Sequence, residues 1–483
     1  MVRISIILAL ICGAIPAFGF ALLGPYTPWM TYSNGYRQPG DLGGPMDLGD
    51  EYRWNLPVIT YGFDREFGNY FGKRGVQEVE KAIAILTNLP VASRIDINAY
   101  VSEGPRVNYE AAEQGLLDLK SFALAEMLWQ LGLNRPVGCM WGIRDRTNAP
   151  YPFVLIQRNF DPVSLAPTNR VNRTQYECFI FTTSTAAFAW PSPTYGDFAF
   201  DALAEGPVNA YRGTGRYYDN LTPDDVGGLR YLYSKNNVNV ETLPADITKA
   251  GSTNRPSVTT ALRPGIENLK FVKMTWNTNN ARFNPTTNFF ELLYVTNGLV
   301  RTQNLQRVVS TPDILFQCRD LGGTRYGAPN YRFYPQWVEV TDTTRWQNLA
   351  DLNASASGAG PGIIPPGATI TFGKVGRYAS LFKEYSEMIN WGAFDGTTNP
   401  PVVFQSSDGV ETVPLDNYVV REGTNAFFTC VLLGEKDAAY RIETSTDLAH
   451  WTSLQTITNS EGHFSVRDAV VSDKRFFRAL RVE

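Results

Sequence analysis

Apolar side chains recur at helical spacing in three stretches of the chain and alternate with polar ones in many more, so the pattern predicts a mixed first half and a strand-rich second half. Phe122, Leu124, Leu128 and Leu131 line one side of a helix that Gly132 suits as a left-handed cap and that Pro136 keeps from resuming. Val76, Val79, Ile83 and Leu86 make the stripe of a second helix, from about Gly75 to Leu86, with Glu78, Glu80 and Lys81 toward water. A third opens at Pro223, where Thr222 is a good N-cap, Asp224 and Asp225 suit the positive end of the dipole, and Val226, Leu229 and Leu232 share a face.

Strands are expected at 57–64, at 93–101 with Ile95, Ile97 and Ala99 on one face, and at 153–157 and 177–182 inside a long segment from Arg135 to Asn220. The order strand, helix, strand, helix fits an α/β sandwich. Ser234 to Arg255 is polar and linker-like, and Ala354 to Gly362 has the composition of a flexible loop. Between them lie a strand at 269–276 and a hairpin, Phe289 to Thr296 with Leu299 to Val309, joined by Asn297-Gly298. Five short strands at sandwich-like spacing follow, at 425–433, 440–445, 453–457, 463–468 and 476–482.

At 483 residues the chain exceeds one ordinary core. The expected organisation is an α+β multidomain protein: 1–21 a signal peptide, 22–237 an α/β sandwich, 238–399 a β-rich middle domain and 400–483 a C-terminal β-sandwich. The signal rests on a basic start at Met1-Val2-Arg3, an apolar run from Ile4 to about Ala17, and a small-x-small cleavage signature at Ala17-Phe18-Gly19 or Gly19-Phe20-Ala21. It predicts a secreted or cell-surface protein. No other stretch is long and apolar enough to span a bilayer. A net charge of −4 gives no sign of nucleic-acid binding. Outside the signal, Cys139, Cys178, Cys318 and Cys430 allow three pairings; export favours a disulfide between Cys139 and Cys178, and buried thiols are the alternative.

The lettering of the Asp118–Arg135 stretch adds a resemblance. Asp118, Leu119, Ser121, Ala123, Glu126, Leu131, Gly132 and Leu133 match the active-site helix of the matrixin-type metzincins, whose pattern runs D-L-x-S-x-A-x-H-E-x-x-H-x-L-G-L-x-H. The strand at Ile59-Thr60-Tyr61-Gly62-Phe63 resembles the family's opening strand, and Leu221 to Tyr233 its closing helix. The resemblance implies a metzincin-like sandwich over the first domain and a metal site at Ala125, Trp129 and Arg135. A methyl, an indole with only a donor N–H and a permanently charged guanidinium do not ligate zinc, so no cofactor is expected and Glu126 is a relic general base. The family's methionine turn is missing as well, since no methionine lies between Met140 and Met274. Tyr440 to Trp451 resembles modules that end many large exported bacterial proteins.

The implied function is therefore binding or surface structure by a pseudo-metalloprotease, with Glu126 and Trp129 as cleft candidates and an extended peptide or a surface glycan as partner. A relic Glu126 at the end of a helix is expected to be solvated. Two rivals remain. A hydrolase would work through Asp161, Glu177, Asp197, Asp201 or Glu205, and a glycan binder through exposed Tyr195, Tyr217 and Tyr218. Sequons at Asn172 and Asn353 and the two histidines, His450 and His463, point to no site. Nothing in the sequence decides the oligomeric state.

Overall fold

The computed structural model describes residues 18–37, 43–100, 105–146, 152–194, 203–205, 214–251, 257–277, 280–319, 340–343, 347–348, 361–373, 390–404, 414–422, 425–433, 439–447, 450–459, 463–469 and 476–482. Among these the chain forms four α-helices, α1 (Arg65–Thr87), α2 (Tyr109–Glu113), α3 (Leu119–Gln130) and α4 (Pro223–Tyr233), beside 34 strands. The strands that position the site are β1 (Ala21–Gly24), β2 (Gly44–Met46), β3 (Val58–Phe63), β4 (Leu133–Asn134), β5 (Trp141–Arg146), β6 (Lys270–Lys273), β7 (Ile314–Arg319), β8 (Val340–Thr343) and β9 (Ala368–Gly373).

The protein is β-rich, which corrects the expectation of an α+β fold opening on a metzincin-like α/β sandwich. One cause lies at 93–101. In place of a strand, two 3-10 turns form at Ala92–Arg94 and Ile97–Ala99, because the Asp96 side chain accepts the Asn98 N–H and Ala92 N–H is drawn to the Glu267 carbonyl. Ile95 and Ile97 are buried as their alternation suggests, but they sit on turns and pair with no neighbouring strand.

The other cause is the sheet around β3. Its order is β6-β3-β7-β9-β8, parallel except for β8, so the partners of β3 come from beyond residue 237. α1 packs on this sheet. Asp64 caps it by accepting the Phe67 N–H at 2.7 Å, ten residues before the expected start, and the chain kinks at Gly72 (φ 60°). Phe67 and Phe71 then meet Phe63, Phe316, Phe372, Trp391 and Phe404 in one aromatic cluster. That core runs through both expected boundaries, 237/238 and 399/400, so neither separates independent cores.

The expected linker at 234–255 is structured over 234–251, and 252–255 lie outside the described residues. Val238–Thr242 and Ile247–Lys249 belong to a five-stranded sheet, and Glu241 makes a buried ion pair with Arg53 at 2.7 Å. Arg53 further donates to the carbonyls of Leu232, Asn237 and Arg263, so its guanidinium is satisfied out of water. In the same sheet the Asn297-Gly298 hairpin forms as the dipeptide predicts, both residues at positive φ (51° and 72°) between Thr286–Thr296 and Leu299–Val309. Of the expected flexible loop, 354–360 lies outside the described residues and Gly362 is in a strand. Toward the C-terminus two three-stranded sheets meet at Tyr440, Ile442 and Val466.

The first domain boundary also moves. Phe20, Ala21, Leu22 and Leu23 are all buried, β1 pairs with β2 and β4, and Gly19 N–H donates to the Asp224 carboxylate at 2.8 Å. A signal ending at residue 21 would cut into this core strand. Among the described residues no helix is long and apolar enough to cross a membrane.

Candidate functional site

α3 starts at Asp118, whose carboxylate accepts the Ser121 N–H (3.0 Å) and hydroxyl (2.5 Å), while Ser121 Oγ accepts the Tyr218 N–H. Burial lifts the Asp118 carboxyl to about 6 against the opposing pull of Lys120 and Ser121. Every residue of α3 except Lys120 is buried, so the helix is a central strut and has no solvent face. Its end is fixed from several sides. Gly132 sits at φ +99°, where a Cβ would lie 2.3 Å from the Tyr52 carbonyl, and its own carbonyl accepts Leu23 N–H from β1. Trp54 Nε1 donates to Gln130 O and the Tyr233 hydroxyl to Leu131 O.

Of the three positions that the resemblance assigns to metal ligands, Arg135 meets Trp129, and Ala125 lies one helical turn before Trp129. Ala125 is fully buried. The Trp129 indole, 6% exposed, donates to Ala204 O at 2.6 Å, and the Arg135 guanidinium lies over its ring with Cζ 5.0 Å from the centroid. Glu205 closes the far side, its Oε2 accepting the N–H groups of Val137 (2.7 Å) and Gly138 (3.2 Å). The segment 203–205 is in turn held by Asp225 at the head of α4, which accepts the Leu203 and Ala204 N–H groups as well as capping the helix with Thr222. Asp224 accepts Gly19 and Asn172 N–H. Burial raises both carboxyls, so the two aspartates act as clamps between distant segments, beyond the dipole role expected of them.

Glu126 is 4% exposed, which corrects its expected solvation, and Trp129 is buried as well. Cys139 and Cys178 are not joined in a disulfide; the first is buried and the second half-buried. Among the described residues, the rival carboxylates belong to no group of three acidic or metal-ligating side chains. Asp161 caps its own turn at Val163 and Ser164, Glu177 is exposed on a strand, Glu205 accepts the Val137 and Gly138 N–H groups, and Asp197 and Asp201 lie outside the described residues. Tyr217 and Tyr218 are 2% and 5% exposed, so they offer no stacking face to a glycan; Tyr195 lies outside the described residues. The Asn172 sequon is buried and Asn353 is not described. His450 pairs with Asp447 at 2.8 Å. Among the described residues no three His, Cys, Asp or Glu side chains form a group that could hold a metal ion.

A feature that the sequence reading missed is a cavity of about 240 Å³ beside Trp29, between the Thr27–Met30 turn, β2 and the Asp47–Asp50 turn, with Arg144 and Arg158 at its rim. Its residues come from four separate segments and share no motif. Comparison with known proteins is silent on both places: no family model, no curated protein and no solved structure matches the chain.

Proposed function

We infer that this is a non-catalytic protein that works outside the cytoplasm, by binding or as structure, and that α3 is a metallopeptidase-like helix whose ligand positions now serve packing. The observation that supports this is the packing at those positions: Ala125 is fully buried, and Trp129 is buried, bonded to Ala204 O and covered by Arg135. A side chain at position 125, 129 or 135 that could ligate would need both a different residue type and a different surround. The extracytoplasmic location rests on the basic, apolar and small-residue pattern of the first residues.

The test is metal content and hydrolysis on one preparation. The full chain, incubated with zinc and freed of excess, is expected to retain no stoichiometric metal, to melt at the same temperature in chelator, and to cleave no member of a broad peptide library. One equivalent of zinc together with a peptidase rate that Glu126→Gln abolishes would overturn the reading.

A further inference from the structure

The cavity beside Trp29 encloses about 240 Å³, a volume suited to a ligand of amino-acid size and smaller than the pockets that take drug-sized molecules. Its base is apolar. Met30 and Met46 are each 1% exposed, and Gly44 lies so close that a Cβ there would be 2.3 Å from Met30 Sδ. Its rim is charged. Arg158 and Asp47 satisfy each other at 3.1 Å. Arg144 and Asp50 are different, because among the described residues neither has an ion-pair partner. Arg144 is the extra residue of a β-bulge between Ile143 and Asp145, which aims its guanidinium onto the Trp29 ring with Cζ 5.1 Å from the centroid. Asp50 uses its N–H to close the turn on Asp47 O, and its carboxyl is raised by burial and by the neighbouring Asp47 against the opposing pull of Arg158. The Thr27 hydroxyl, also in the lining, is buried with no hydrogen-bond partner. The buried Thr27 hydroxyl and the half-buried Asp50 carboxyl are costly to leave unmatched, whereas the exposed Arg144 is open to a ligand from solvent.

We propose that this cavity binds an apolar α-amino acid as its zwitterion, the carboxylate on Arg144, the ammonium on Asp50 and the side chain against Trp29, Met30 and Pro45. A guanidinium held over an indole spends no N–H on that contact, so its fork stays available for a carboxylate. A neutral saccharide could use the indole but would match neither Arg144 nor Asp50 with a charge. A peptide terminus brings only one of the two. The proposal rests on the binding half of the reading above and is indifferent to whether α3 is catalytic.

Calorimetric titration of the full chain tests it, with L-leucine, L-methionine and L-phenylalanine as ligands and N-acetyl-L-leucine, L-leucinamide and glucose as controls. At least one free amino acid is expected to bind, and loss of either ligand charge to weaken it roughly tenfold or more, as a charge-assisted hydrogen bond requires. Arg144→Gln should weaken the free amino acid similarly yet leave leucinamide, which has no carboxylate, unaffected; Asp50→Asn should do the same for N-acetyl-leucine. If either variant unfolds, the ligand analogues on the unaltered chain still decide. No heat with any of the three up to about 10 mM, well beyond the weak end of specific binding, or equal binding of leucine and leucinamide, or binding of glucose alone, would each overturn the proposal. Zinc or peptidase activity found in the separate assay would remove the non-catalytic reading and leave this result standing.

Discussion

The molecule carries two guanidinium–indole stacks of nearly the same dimensions, Arg135 on Trp129 at 5.0 Å and Arg144 on Trp29 at 5.1 Å, and they have opposite surroundings. The first is sealed. Its indole N–H is bonded to Ala204 O and a glutamate holds the neighbouring loop, so the pair fills space and fastens a segment. The second borders a cavity, with a carboxylate nearby that is in no ion pair among the described residues and feels only Arg158 as an opposite charge. The same pair of side chains is thus a plug in one place and a recognition surface in the other. Which of the two it becomes is decided by the neighbours' hydrogen bonds and by the room left beside the ring.

The sharpest way to break this comparison is to remove each indole. Trp129→Ala is expected to cost about 3–5 kcal/mol, the usual toll for deleting a buried tryptophan, and Trp29→Ala about 1–2 kcal/mol because only part of its ring leaves water on folding. Equal losses by urea denaturation would erase the distinction between sealed and open.

A smaller effect separates the supports by pH. Asp118, which heads the sealed helix, has a folded-state carboxyl raised to about 6 from 3.8. Its contribution to stability is therefore complete below the unfolded value and is lost as pH rises through about 6. Asp118→Asn keeps an N-cap but removes this dependence. The stability of the variant minus that of the natural chain should thus rise by on the order of 2 kcal/mol between pH 4 and pH 8. Parallel urea midpoints for the two across that range would count against it.

The smallest effects belong to the polar partners. Glu205→Ala takes an acceptor from two backbone N–H groups beside Trp129 and should cost about 1 kcal/mol, whereas Arg144→Gln at the open rim should stay within about 0.5 kcal/mol. A larger loss for Arg144→Gln would mean that the open stack is structural too.

What could be read from the sequence was local. Gly132 at positive φ, Thr222 capping α4 and the Asn297-Gly298 hairpin each follow from the chemistry of a few adjacent residues, and each is found. The helix at 118–135 was found in position but mistaken in setting. Its apolar stripe looked one-sided because Ala123, Ala125, Ser121 and Gln130 carry little hydrophobic signal, although all four are buried. The sheet was out of reach, since the pairing of β3 with β6 and β7 is a contact across more than 200 residues that no periodicity encodes. At 93–101 the alternation of Ile95 and Ile97 reported burial, and burial alone does not distinguish a strand from successive turns. Of the candidate site, positions 125, 129 and 135 came only from the resemblance, and the segment 203–205 that bonds to Trp129 was not foreseen. The cavity left no trace, being assembled from a turn, two strand ends and a bulge.

The placement of β3 has a consequence in time. Val58–Phe63 leaves the ribosome long before Lys270–Lys273 and Ile314–Arg319, the strands that must flank it on either side. At ~5–20 residues per second the gap is on the order of ten seconds or more. Until it closes, Ile59, Tyr61 and Phe63 and the aromatic face of α1 have no sheet to complete. Folding of the central sheet is therefore a late event of high contact order, and the unfinished N-terminal half is the species most exposed to self-association.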